Sequence, residues 1–214
     1  MTPLLDREVT LGNLEATFRD LAGKVQAHDV FILYLAGHGM TMDGEYHFIP
    51  ADVIYENTPA LRAGSVQQER LQRWLGSIQA QKSLVLLDTC ASGTFVTALS
   101  GTVIQLAAAR DMSEKGAIDK LMRATGRAVI AASTERQFAL EGHAGHGVFT
   151  YALLQGLRGE ADAQGDRDGA TTVDELSAYV AKEVPRITQQ KWGYEQFPMR
   201  QFGGLPFPIG LVPR

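Results

Sequence analysis

Val30-Phe31-Ile32-Leu33-Tyr34-Leu35-Ala36-Gly37-His38-Gly39 and Ser83-Leu84-Val85-Leu86-Leu87-Asp88-Thr89-Cys90-Ala91-Ser92-Gly93 are the two stretches that decide how this chain folds. Each holds a short, continuous apolar run, over Val30–Ala36 and over Leu84–Leu87 of the strand Ser83–Leu87, and closes on polar residues and glycine. That pattern marks a strand buried on both faces. Gly37-His38-Gly39 reads as a glycine-flanked turn after the first of them. Working outward, Leu11–Ala27 sets Leu14, Phe18, Leu21 and Val25 on one helical face, and Gln67–Ile78 does the same with Leu71, Trp74, Leu75 and Ile78. Ala128–Ser133 reads as a third buried strand, and Phe149–Leu157 and Val173–Val184 as helices. Thr172, with Glu175 three residues on, forms the capping-box spacing ahead of the last. Fully apolar strands that alternate with helices predict an α/β fold with a mainly parallel sheet covered on both faces. No internal repeat is visible.

A chain of 214 residues, 45% hydrophobic and 21% charged, is large enough for one substantial core and has the composition of an ordinary globular domain. Disordered, collagenous and coiled-coil classes are excluded. With 24 acidic against 20 basic residues, the net charge of -4 and the lack of a basic stripe give no reason to expect nucleic acid or an anionic membrane as partner. Met1–Glu8 lacks the basic and apolar regions of a secretory signal, and no apolar run approaches the roughly 20 residues of a spanning helix, so a cytoplasmic protein is expected. Leu211-Val212-Pro213-Arg214 matches the residue of a thrombin-cleaved tag and is set aside, leaving one domain over 1–210. The single cysteine, Cys90, cannot close an intrachain disulfide. It is either a small buried hydrophobe or a thiol kept for its reactivity.

In open parallel sheets, catalytic and binding groups gather beyond the carboxyl ends of the strands. His38 and Cys90 both stand there. If their strands are neighbours, the imidazole meets the thiol at one edge and can take its proton or stabilise the thiolate, the nucleophilic form. Adjacent glycines let a substrate backbone approach closely and free backbone N–H groups, of which those of Gly39 and Cys90 are the candidates to hold an oxyanion. The plain alternative is a core cysteine and an unrelated loop histidine. Two separate strand ends, each apolar before and glycine-rich after, argue for the pair.

Leu35-Ala36-Gly37-His38-Gly39 resembles the Ser-Gly-His-Gly motif of the caspase and metacaspase clan of cysteine peptidases, and Asp88-Thr89-Cys90-Ala91-Ser92-Gly93 resembles the Asp-Ser-Cys-His-Ser-Gly of metacaspases. The separation of 52 positions, from 38 to 90, agrees with a histidine about 50 residues upstream of the cysteine. Gly145-His146-Gly147-Val148-Phe149-Thr150 is similar to the segment after the substrate-lining loop in bacterial members, and the likeness runs from about Leu5 to Ile209. It implies a caspase-like three-layer α/β sandwich and peptide-bond hydrolysis by a Cys90–His38 dyad. Ala36, Thr89 and Ala91 depart from the motifs without touching the nucleophile or base. The clan opens with a strand and helix before the region matching Leu5-Asp6, for which this chain has no room. The expectation is a fragment of a longer protein; a strand supplied by a separate segment or a rearranged sheet are the alternatives.

By the same resemblance Asp88 matches the metacaspase pocket acid, Asp6 a second one, and Glu141 lies in the presumed substrate loop Thr134–His146. Carboxylates there favour protein or peptide substrates with Arg or Lys before the scissile bond. For each acid the plain reading is a solvated loop carboxylate. The polar segment with Arg110, Lys115, Lys120, Arg123 and Arg127 is where the clan often cleaves itself; Ile118, Leu121 and Met122 also fit one helical face. Gln164–Gly169 with Glu175 partly matches a calcium loop, with Gln in place of the first Asp, so an acidic turn before a capped helix is the competing reading. No cofactor is required by the dyad. His143 and His146 lack the further ligands zinc wants, so no metal is assigned to them. A silent interaction module, or a segment active only with a missing amino-terminal part or regulatory domain, are the alternatives to an active peptidase.

Overall fold

The computed structural model describes residues 1–43, 45–54, 56–90, 127–132 and 139–212. Ala91, Ser92 and Gly93, the Arg110–Arg123 part of the expected processing segment with its helical face, and Thr134–Phe138 of the expected substrate loop lie outside them, as do Pro213 and Arg214. The elements in chain order are α1 (Leu11–Lys24), β1 (Val30–Met42), β2 (Glu45–Ile49), α2 (Thr58–Gly64), β3 (Val66–Gln67), α3 (Gln68–Ser77), β4 (Lys82–Thr89), β5 (Arg127–Ala131), α4 (Val148–Gln155), α5 (Ala161–Gln164), β6 (Ala170–Thr172), α6 (Val173–Trp192), β7 (Met199–Gly203) and β8 (Pro208–Leu211). Arg127, from the basic segment, opens β5.

Six strands form the central sheet in the order β3-β2-β1-β4-β5-β7. β1, β4 and β5 run parallel at its centre, and β2, β3 and β7 extend it antiparallel. Alternation along the buried strands divides the core. Leu84, Leu86, Ala128 and Ile130 meet Phe149, Leu153, Leu176 and Val180 of α4 and α6 on one face. Val85, Leu87, Val129 and Ala131 meet Leu14 and Phe18 of α1 and Leu71 of α3 on the other, where the Phe18 and Trp74 rings stack at 5.1 Å. The result is the three-layer sandwich expected.

Two elements outrun their sequence reading. The turn expected at Gly37-His38-Gly39 is instead strand, because β1 changes neighbour there: Gly37 is the last residue in register with β4, opposite Thr89, and His38 the first in register with β2, opposite Ile49. Gly37 carries the bend with φ +146°, a backbone that L side chains rarely adopt, and a Cβ would lie 3.2 Å from the Phe48 ring. α6 likewise continues through Pro185 to Trp192, because Val184, Ile187 and Thr188 are buried against the fold and outweigh the one backbone hydrogen bond that proline removes.

On its other edge, residues 30–37 of β1 have no strand partner among the described residues. Val30, Ile32 and Tyr34 are correspondingly 43%, 46% and 47% exposed, although the register partners of the last two, Leu84 and Leu86, are buried under α4 and α6. A two-stranded sheet pairs β6 with β8, including Ala170 with Leu211, and the Val212 amide donates to the Gly169 carbonyl at 3.0 Å. The stretch set aside as a tag remnant is therefore, at Leu211 and Val212, part of the folded structure.

The capping box read from the sequence is present: the Glu175 amide donates to Thr172 Oγ1 at 3.3 Å and the Thr172 amide to Glu175 Oε2 at 2.9 Å. Thr172→Ala is expected to lower unfolding free energy by about 1 kcal/mol, seen as a lower denaturant midpoint with an unchanged slope.

Candidate active site

Parallel pairing of β1 with β4 sets Ala36 opposite Asp88 and Gly37 opposite Thr89, so His38 and Cys90 follow on directly from the last paired residues of neighbouring strands. His38 is exposed and Cys90 half-buried. The strand ends are pressed together at the next residue. A Cβ on Gly39 would lie 2.5 Å from the Cys90 carbonyl oxygen and 2.9 Å from Thr89 Oγ1, so only glycine fits. Gly39 is held from its other side by β2, in register with Phe48. Next to Cys90, the fully buried Tyr46 hydroxyl bonds Thr89 Oγ1 at 2.8 Å, and burial pushes its phenol well above the ordinary value. Tyr46 is thus a structural support of the cysteine that sequence reading missed; only its position on the strand after the histidine motif hinted at it.

Asp88 and Glu141 are brought together. Asp88, two residues before Cys90, is only 7% exposed. Its Oδ2 accepts a hydrogen bond from Thr150 Oγ1, which in turn meets the Tyr34 hydroxyl at 2.6 Å. Glu141 stands across Gly147: a Cβ on that glycine would be 3.2 Å from both Glu141 carboxylate oxygens and 3.3 Å from Asp88 Oδ2, so Asp88 Oδ2 lies within 6.5 Å of each. Burial pushes the Asp88 carboxyl above its ordinary value and the Glu141 charge adds to the rise, while hydrogen bonds from the Thr150 hydroxyl and amide offset part of it. The gap between the acids is one that a side chain at 147 would fill.

The loop bearing Glu141 is tied down from several sides. The buried Gln196 accepts from the Leu140 amide at 2.8 Å and donates to the Ala132 carbonyl at 2.7 Å, which clamps the loop to the end of β5. Lys191 Nζ donates to the Gly142 carbonyl at 2.6 Å. His143 and His146 pair through their main chains at 2.9 Å in both directions, and the His143 ring meets Tyr151 edge-on at 4.5 Å. Both histidines are accounted for as parts of a turn. Asp6 stands apart from the acidic pair. Rather than ending a strand, it opens the exposed 3-10 turn Asp6–Glu8 with φ 47°, a backbone incompatible with extended pairing, and no side-chain hydrogen bond or ion pair engages it among the described residues.

The twelve-residue calcium pattern, Gln164 to Glu175, runs from the end of α5 through β6 into the first turn of α6. Gln164, its first position, accepts from Lys182 Nζ at 2.9 Å, and Glu175, its last, accepts from the amides of Asp166 and Thr172. Burial raises the Glu175 carboxyl, but those hydrogen bonds outweigh it and hold it below its ordinary value. The carboxylates that do converge belong to Asp162, Asp166 and Asp168, with oxygens all within 4.8 Å of one another. Asp162 lies outside the pattern.

A family model described as the caspase domain, Peptidase C14, matches residues 4–206, and the chain belongs to that family of peptidases. A crystal structure of a protein from Geobacter sulfurreducens superposes with a TM-score of 0.59 at 18% identity, over 100% of this chain and 80% of that one, a likeness of fold. No curated protein sequence matches. Among the described residues, no helix is long and apolar enough to cross a membrane.

The contact at Gly39 yields a clear expectation. Gly39→Ala should destabilise the protein by about 1–3 kcal/mol, the usual range for overpacking. Gly76→Ala, on α3 with no atom within 4 Å of the new methyl, should instead be neutral or stabilising by up to about 1 kcal/mol. Denaturant titration of both variants checks the opposite signs.

Proposed function

We propose that this chain is a cysteine endopeptidase in which Cys90 is the nucleophile and His38 the proton carrier. The observation that carries the reading is the junction of β1 and β4, where His38 and Cys90 follow adjacent paired residues and Gly39 closes against the Cys90 carbonyl. The Cys90 proton passes to His38, and the thiolate bonds to the scissile carbonyl carbon. Amides of Gly39 and Cys90 hold the oxyanion. His38 then gives its proton to the leaving amine, the C–N bond breaks, and a water activated by His38 hydrolyses the acyl-enzyme to release the acid and restore the thiol. The scheme calls on no cofactor. A fluorogenic peptide panel tests it: Cys90→Ala should abolish turnover and His38→Ala should lower it by about 10²–10⁴. Absence of turnover by the unaltered protein would leave a silent interaction module as the reading.

Asp88 and Glu141 support selection of Arg or Lys before the scissile bond, since a cation seated across Gly147 lies within reach of both carboxylates and is held by charge-assisted hydrogen bonds. Asp88→Asn should lower kcat/KM for an Arg substrate by about 10–100-fold. Because the Asp88 pKa is raised, the pocket loses its charge as pH falls through a value above the ordinary carboxylate range. The acid limb for Arg substrates should therefore lie above that of a neutral substrate in kcat/KM profiles. Cleavage after Asp alone would sink this specificity.

A second reading, in which the enzyme works only with one more strand joined to its sheet, is favoured by the open edge of β1. Residues 30–37 carry no charge and no proline, the devices that ordinarily guard a free edge. The occupant would be an extended segment, pairing main chain to main chain, with apolar side chains continuing the face of Leu84 and Leu86 over Ile32 and Tyr34. In an active preparation, hydrogen exchange should then be slow at the β1 amides that point away from β4. Rapid exchange there, with full activity, removes this reading.

A further inference from the structure

We propose that Thr150, braced by Tyr34, is a positioning residue that sets the orientation of Asp88 and thereby the strength with which the pocket holds a cationic side chain. The proposal rests on the reading of Asp88 and Glu141 as the substrate pocket. Thr150 lies in the first turn of α4, and its hydroxyl has a single proton, which it gives to Asp88 Oδ2. Only its lone pairs are then left for the Tyr34 hydroxyl 2.6 Å away, so Tyr34 must donate. The order is fixed as Tyr34 to Thr150 to Asp88, three groups from β1, α4 and β4, and both hydroxyl dipoles favour the ionised carboxylate. The Thr150 amide grips the same carboxylate.

The geometry explains why a threonine at this position bears on specificity. A carboxylate this buried resists ionisation, and Glu141 across Gly147 resists it further, yet Asp88 contributes to holding a cation only while it is charged. The Thr150 hydroxyl works against both effects and ties one oxygen down, which leaves the carboxylate in one orientation toward the gap at Gly147. Tyr34 reaches this chain from the half-exposed face of β1, where its ring sits beside the open edge.

Thr150→Val keeps the shape and removes the hydroxyl; Thr150→Ser restores it, and Tyr34→Phe removes the brace alone. With an Arg substrate, Thr150→Val should raise KM about tenfold with kcat within about twofold, and should move the acid limb to higher pH, since its hydrogen bond lowers the Asp88 pKa. A neutral substrate should be unaffected. Thr150→Ser should recover most of the loss, and Tyr34→Phe should produce a smaller change of the same sign. Equal losses on both substrates, an unmoved acid limb, or a serine variant as impaired as valine would overturn the proposal. Infrared titration of the Asp88 carboxyl, assigned with Asp88→Asn, reads the same positioning without turnover. It should show a higher midpoint in Thr150→Val and in Tyr34→Phe, and unchanged midpoints would overturn the proposal. If the unaltered protein cleaves no basic substrate while these midpoints shift, the pocket reading fails and the positioning stands.

Discussion

Eight consecutive register pairs, from Val30 with Lys82 to Gly37 with Thr89, join β1 to β4 in parallel, and His38 and Cys90 stand one residue beyond the last of them. Parallel pairing needs no side-chain identity at each step; it needs two apolar strands and a cover on each face. Once it forms, the histidine after one strand and the cysteine after the other have nowhere to go but the same edge. The junction is kept tight by what is missing: no side chain at Gly39 separates the β1 backbone from the Cys90 carbonyl. Tyr46 and Thr89 lock it from beneath with a buried hydrogen bond.

The acidic pocket depends on the same strand. Asp88 is the residue of β4 in register with Ala36, and burial that comes with a central strand is what makes its charge expensive. A buried acid beside a second acid is an unfavourable arrangement for the fold by itself. A cation bound there, as proposed, would offset both the desolvation and the repulsion. The hydroxyl chain from Tyr34 through Thr150 offsets part of the same penalty in the empty pocket.

Much of this was legible from local pattern. Apolar runs located β1, β4 and β5, helical spacing located α1, α3, α4 and α6, and the Thr172–Glu175 box appeared as read. These signals survive because each is set by contacts within a few residues. The continuation of β1 past Gly37 was not legible, since a histidine flanked by glycines looks like a turn unless the second partner strand is known. The same holds for α6 beyond Pro185, where burial of Ile187 and Thr188 against distant elements overrides a local helix breaker. Asp6 and Glu141 had equal standing in the sequence. Tertiary structure parts them: the loop of Glu141 is clamped by Gln196, 56 positions from Leu140, whereas Asp6 sits on an exposed turn.

By itself the sequence determined the layered α/β architecture and the two strand ends carrying His38 and Cys90, because strand burial and helix amphipathicity are written in periodicity that any neighbour would satisfy. Only the tertiary structure decided which groups touch: Gly39 against the Cys90 carbonyl, Tyr46 on Thr89, Glu141 facing Asp88 across Gly147, and Tyr34 reaching Asp88 through Thr150. The physical reason is range. Those contacts join residues dozens of positions apart, and their hydrogen bonds and close approaches are set by packing to within an ångström, on a scale that no repeating pattern along the chain encodes.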